Sequence, residues 1–194
     1  MALTEPIRGT QQVRAFMDYY LKRNELRNHV LVVMGINTGL RIYDLLQLTW
    51  DDVYDFSNGR FRPIVPVTEQ KTGKPKSITL NKLIIKALTS YMASTPPAMR
   101  GHFLFCSRKG GNRPISRQQA YRIIRDCAEA LCFNTRVSCH SLRKTFGYLA
   151  WKSGVSPVII MNIFNHTSLA VTQRYLGVTQ DDIDDCYHKL AEIT

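Results

Sequence analysis

No stretch of the sequence approaches the roughly 18 consecutive apolar residues of a membrane span, and Met1 to Thr10 lacks the basic-then-apolar layout of a secretion signal. A cytosolic chain is expected. The five cysteines, Cys106, Cys127, Cys132, Cys139 and Cys186, are odd in number and form no C-x-x-C pair, which excludes a disulfide framework and the usual zinc or redox sites. They read as reduced core thiols. There is no H-E-x-x-H, no Cys/His spacing of metal-ligand type, and Gly110-Gly111 is not followed by the Lys-Ser/Thr of a phosphate-cradling loop. Neither a metal nor a nucleotide cofactor is expected. Proline and glycine, 8 and 11 residues, do not gather into a linker, and no internal repeat is visible. The simplest division is a single domain over residues 1–180 with a tail over 181–194.

Acidic residues are also scarce, 15 against 26 Lys and Arg, so the net charge is +11. An excess of that size points to a polyanionic partner, the bland alternative being solubility charge. Its distribution separates the two, because residues 101–150 alone carry +7 while residues 151–194 carry −2. The acidic run Asp181-Asp182, Asp184-Asp185 reads as an exposed helix start, where carboxylates meet the positive dipole end.

The local patterns describe a mostly α-helical α+β chain with a small antiparallel sheet near residues 50–80. Gln11 to Asn24 is helical and half exposed, and His29 to Met34 is apolar enough for a buried helix running towards Gly35 and Gly39. Arg60 to Thr68 and Lys76 to Leu80 are rich in β-branched residues around the turn Thr72-Gly73, giving a hairpin or a three-stranded sheet. Asn81 caps a helix whose Ile84, Ala87, Leu88 and Tyr91 share one face, and Pro96-Pro97 stops it. Ser116 caps another. There Ala120, Ile123, Ile124, Cys127 and Leu131 form the buried stripe and leave Arg117, Gln118, Tyr121, Arg122 and Arg125 outward. With Arg108, Lys109 and Arg113 just before it, this basic face suits phosphate contacts, or is a solvated surface. His140 to Ser153 is a helix closed by Gly154, and Ser156-Pro157 begins the next.

Few groups capable of chemistry remain. His140 and Arg143 lie three residues apart on one helix face while Leu142, Phe146 and Leu149 bury the other. Arg41 stands beside a helix start with Asp44 placed to hold or tune it. Each is weak evidence alone. Together the residues resemble the catalytic domain of the tyrosine recombinases, the phage-integrase-like enzymes, from about Gln11 to Leu176. The resemblance rests on Gly39-Leu40-Arg41 with Asp44, Lys71 within Glu69-Gln70-Lys71-Thr72-Gly73, and His140-x-Leu142-Arg143. It is completed by His166 nine residues before Tyr175 and by the string Thr172-Gln173-Arg174-Tyr175.

What the resemblance implies is a site-specific recombinase that cuts and rejoins double-stranded DNA through a 3′-phosphotyrosyl link on Tyr175, with no metal or ATP. Arg41 and Arg143 would grip the non-bridging oxygens, His140 and His166 would donate hydrogen bonds or move a proton, and Lys71 would protonate the leaving 5′-oxygen. It further implies a tetramer on two DNA sites, with Asp181 to Ile193 docking on a neighbour, scope for an accessory DNA-bending protein, and a cytoplasmic, nucleoid-associated place in a bacterium or its mobile elements. The bland readings stay beside these. His140 and His166 could cap or pack helices, Lys71 could be one phosphate contact among Lys71, Lys74 and Lys76, and Tyr43, Tyr148 and Tyr187 read as half-buried core tyrosines with paired hydroxyls.

The family commonly has Leu-Gly-His where this chain has Phe164-Asn165-His166, and His where it has Lys144. The length leaves no room for the preceding helical DNA-clamping domain, so the expectation is either a naturally minimal recombinase or an excised catalytic fragment. Two competitors remain: a type IB topoisomerase, and a non-catalytic regulator, since Ala150 to Phe164 resembles a helix-turn-helix.

Overall fold

The chain opens with Thr10–Lys22 (α1) and Leu26–Thr38 (α2), and the second of these organises the rest. Val30, Leu31, Val32, Val33, Met34 and Ile36 are all buried, so α2 is apolar around its whole circumference and needs neighbours on every side. The computed structural model, which describes residues 4–95, 99–178 and 180–191, supplies them. Gly39 ends α2 in the left-handed conformation at φ 62°, and a Cβ there would lie 2.8 Å from the Phe146 ring, so glycine is required twice over.

Short helices Ile42–Leu46 (α3) and Trp50–Val53 (α4) lead into the strands Tyr54–Asp55 (β1), Arg60–Phe61 (β2), Ile64–Thr68 (β3) and Pro75–Thr79 (β4). These form two separate antiparallel pairs, β1 with β2 and β3 with β4, rather than one three-stranded sheet. The reason lies between them. Arg62 donates its N–H back to Val53, and Pro63 has no N–H to continue a ladder, so pairing restarts at Ile64 opposite Thr79.

Lys82–Ala93 (α5) and Arg117–Ala130 (α6) start where their caps place them: Asn81 accepts from the Ile84 N–H and Ser116 from the Gln119 N–H. The expected stripes are buried, except that Leu131 is the half-buried C-cap of α6. Pro96 and Pro97 lie outside the described residues. Cys139–Lys152 (α7), Pro157–Ile163 (α8), Leu169–Leu176 (α9) and Gln180–Ala191 (α10) complete the chain. Helices α1, α5 and α7 all pack on α2. A second, smaller core of Ile160, Phe164 and Leu176 joins α7, α8 and α9, with Tyr175 at its edge.

Helix α7 does not have one open face, because α2 covers one side and α8 and α9 another; Ser141 to Thr145 are all buried and Leu149 is only half-buried. Tyr148 is buried, but Tyr43 and Tyr187 are exposed, at 41% and 71%. Of the described thiols only Cys127 is in the core, Cys132 is exposed, and Cys186 lies outside the side chains described. Helix α8 has only 7 residues and turns the apolar Val158 and Ile159 outward, leaving Asn162 as its exposed polar side chain, where a groove-reading helix needs a row of them.

The acidic run does begin α10, yet Asp182 is not an exposed dipole partner. Its side chain is 5% accessible and meets Lys152 at 2.8 Å and Arg8 at 3.8 Å. Arg8 also donates to the Gly177 carbonyl at 2.7 Å, which ties the start of the chain to the turn after Tyr175.

Candidate active site

A two-residue periodicity runs down β3, burying Val65 and Val67. The next residue in that phase is Glu69, which therefore enters the protein instead of facing water. Its carboxylate has no accessible surface and is surrounded by cations: the Arg41 guanidinium at 2.5 Å, the Lys76 ammonium at 3.1 Å and the Arg143 guanidinium at 4.0 Å. Burial pushes the Glu69 carboxyl up, but contacts with Arg41, Asn165 and Lys76 outweigh it and hold the group down at about 2.

Arg41 caps α3 in extended conformation and keeps 22% of its side chain accessible. Arg143 is the largest fully buried cation of the described residues, at 2%. It donates to the carbonyls of Gly39 at 2.6 Å and Phe164 at 2.7 Å, and its guanidinium lies 4.4 Å from the Phe164 ring centroid. A guanidinium has five N–H groups in a planar fork, so this anchoring leaves others for Tyr175 and an incoming anion.

Tyr175 is set by α9 so that its hydroxyl shares a hydrogen bond with His140 Nε2 at 2.6 Å. Its ring is packed edge-on by His140, His166 and Phe164, at centroid distances of 5.1, 5.0 and 5.4 Å. His166 is oriented by Thr172 Oγ1 at 3.0 Å from Nδ1. Asn165, where the family commonly has glycine, sits at φ 50°; asparagine tolerates this left-handed conformation better than most residues and adds a side-chain amide beside Glu69. Lys144 is buried, donates to the Thr4 carbonyl at 2.7 Å, and holds its ammonium 5.4 Å from the Tyr175 ring centroid.

Burial raises the Tyr175 phenol to about 12, despite the opposing pull of Arg143 and Arg41. Burial and then the Arg143 and Arg41 charges lower His166 to about 4, and burial with the neighbouring cations Arg143, Lys144, Arg41 and Lys71 lowers His140. Near neutral pH the phenol is protonated and both imidazoles are neutral. In the tautomer that carries its proton on Nδ1, His140 can take the phenolic proton at Nε2.

Between its ordinary value of 6.5 and the folded value near 4, His166 binds more protons in the unfolded chain. Stability from this group is complete above pH 6.5 and is lost as the pH falls through that window, by at most about 1.4 kcal/mol per unit. Thermal melts in closely spaced buffers should show a plateau above pH 7 and a falling midpoint below 6.5. A His166→Gln protein should show a shallower fall.

The predicted residues divide into those gathered and those not. Arg41, Asp44, Lys71, Arg117 and His140 line one cavity of about 400 Å³ together with Tyr43 and Gln70. Asp44, however, does not face Arg41 as its counter-ion; it is buried and accepts the Gln70 N–H at 3.0 Å, which pins the β3–β4 turn against α3. The carboxylate at Arg41 is Glu69. Lys71 stands exposed on that turn, whereas Lys76 is drawn inward to Glu69. Arg108, Lys109, Arg113, Gln118 and Arg122 are exposed, and Arg125 is engaged by Asp126 at 3.1 Å and Glu129 at 3.2 Å on its own helix. Glu69 has no role in the sequence expectations, and Lys76 stands there only as one of three hairpin lysines. The phase of Val65 and Val67 was the available signal for Glu69.

A family model described as the phage integrase family matches residues 9–181. The probable integrase/recombinase YoeC of Bacillus subtilis (strain 168) is 33% identical over 187 residues, covering 96% of this chain and 97% of YoeC. Among solved structures, XerA recombinase superposes with a TM-score of 0.77 at 23% identity, over 97% of this chain and 66% of XerA. The XerH site-specific recombinase, in a post-cleavage complex with its palindromic difH substrate, gives 0.76 at 18% identity, over 96% of this chain and 53% of XerH. The chain thus spans nearly all of one relative and between half and two thirds of these structural neighbours.

Proposed function

The chain belongs to the phage integrase family, and from that premise we propose that it is a site-specific DNA recombinase that forms a covalent link between Tyr175 and a DNA 3′-phosphate. The observation that carries the reading is the Tyr175 hydroxyl 2.6 Å from a neutral imidazole, beside two guanidiniums that share one buried carboxylate. Tyr175 Oη attacks phosphorus as His140 Nε2 takes its proton. The bond from phosphorus to the 5′-oxygen breaks, and Lys71, exposed on the cavity wall, supplies the proton that makes a 5′-hydroxyl. Arg41 and Arg143 offset the charge gathering on the non-bridging oxygens. His166 donates to the same phosphate from its Nε2 side, its Nδ1 being directed at Thr172. Attack by the 5′-hydroxyl of a second strand reverses every step, so the phosphoester energy is kept and no nucleotide is consumed.

Double-stranded DNA is the substrate in this reading. Arg108, Lys109, Arg113, Gln118 and Arg122 track its backbone, and Arg117 works at the mouth of the site. No helix among the described residues is long and apolar enough to cross a membrane, and the reading puts the protein in the cytoplasm, on nucleoid DNA. Exchange between two sites calls for several protomers. Residues 1–180 would form the catalytic unit, and the outward Ile183 and Tyr187 of α10 supply apolar surface for a neighbouring copy.

The test is covalent capture from a pool of nicked duplexes of randomised sequence, followed by strand exchange between two captured sites. Capture with exchange supports recombination. Supercoil relaxation without exchange would support the topoisomerase reading, and binding without capture the regulator. If about six phosphates are contacted, log K should fall with log[salt] at a slope near −5, and Arg113→Ala with Arg122→Ala should flatten it by about 2.

A further inference from the structure

We propose that Glu69 is the positioning residue of the phosphate site: its carboxylate holds Arg41, Arg143 and Lys76 around the place the scissile phosphate will occupy. The inference rests on the recombinase reading and adds to it a residue that touches no substrate atom.

Three cations converging on one buried point would repel one another, and each would lose hydration without compensation. Glu69 resolves this because one oxygen meets Arg41 and the other meets Lys76, with Arg143 next to it. The carboxylate is itself fixed from several sides. Its N–H donates to the Lys74 carbonyl at 3.0 Å, its carbonyl accepts the Gly73 N–H at 2.7 Å, and its Oε2 accepts the Thr72 hydroxyl at 3.0 Å. The hairpin turn therefore sets the guanidinium positions, and Asp44 sets the turn.

An opposite role is conceivable on the same contacts, with Glu69 acting as a competitor that the phosphate must displace. The geometry favours positioning. Arg41 lines the cavity and keeps part of its side chain accessible, so the carboxylate does not use up its donors, and Arg143 is anchored by two backbone carbonyls besides.

The experiment compares single-turnover cleavage of two duplexes of a captured sequence, one with the natural scissile phosphate and one with a methylphosphonate there. A methylphosphonate lacks one non-bridging charge, so it depends less on well-placed guanidiniums. Glu69→Gln should slow the natural substrate about 100-fold, the scale of loss for a misplacement near 1 Å, and the methylphosphonate less than about 10-fold. The ratio of the two rates should fall at least about tenfold. Because both are measured on one preparation, the ratio does not depend on how much protein is folded.

Equal losses on both substrates would make Glu69 merely structural, and faster cleavage of the natural duplex would make it a competitor; either overturns the proposal. Should Glu69→Gln yield no folded protein, Glu69→Asp decides. Its shortened carboxylate withdraws from part of the cluster, so its ratio should fall at least about threefold, and an unchanged ratio overturns the proposal. If the unsubstituted protein cleaves neither duplex, it is the recombinase reading that fails.

Discussion

Tyr175→Phe should bind DNA and form no covalent complex on any substrate, whereas Lys71→Ala should be slow on natural DNA and recover on DNA with sulfur in place of the 5′-bridging oxygen. The phenylalanine keeps the ring that His140, His166 and Phe164 pack against and loses only the hydroxyl hydrogen-bonded to His140. That hydrogen bond contributes about 1 kcal/mol, so the fold should survive while the nucleophile is gone. Lys71 is exposed on a turn, and its removal should leave the melting temperature unchanged. Its loss is chemical. An alkoxide is a very poor leaving group without a proton, but a thiolate, whose parent thiol has a pKa near 8.5, departs unaided.

The neighbouring lysines sharpen the result. Lys76 is bound to Glu69 and reaches the Ile163 carbonyl at 3.4 Å, so Lys76→Ala should fail through disorder of the cation cluster, and sulfur should not restore it. Lys74 is exposed, and its alanine variant should cleave normally. Sulfur rescue of Lys74→Ala or Lys76→Ala in place of Lys71→Ala would move the acid along the hairpin. Rescue of none would assign it to His140, His166 or water.

The second large effect separates the two arginines. Arg143→Ala should lower stability by about 3–5 kcal/mol, because it leaves Glu69 and two carbonyls short of a buried partner. For a chain of this length that is a fall in melting temperature of roughly 10 °C. Arg41→Ala should cost less, since its side chain is partly accessible and Lys76 still faces Glu69. Cleavage should fall at least about 100-fold in both, the usual consequence of removing one donor to a developing oxyanion. Melting curves and single-turnover cleavage on the same preparations check this. Equal melting temperatures would mean that Arg143 is not the structural member of the pair.

Much of this was legible in the one-dimensional record. Helix starts at Asn81, Ser116 and Ser156 are readable because each depends on a side chain and a backbone group within a few residues. The positions of Arg41, His140, Arg143, His166 and Tyr175 were legible through their spacing and the family they resemble, not through periodicity. Only the tertiary structure decided what those charges meet. Arg41 is paired 28 residues away with Glu69 rather than with Asp44, three positions along, because the β3–β4 turn folds back over α3 and takes Asp44 for its own N–H. Arg143, on a helix expected to be open on one side, is buried because α8 and α9 return to cover it. Tyr43 and Tyr187 are exposed for the converse reason, that nothing described packs over them to that depth. Caps and turns are satisfied by neighbours in sequence, whereas burying a charge depends on which distant element brings its counter-ion, and that is settled only when the helices pack.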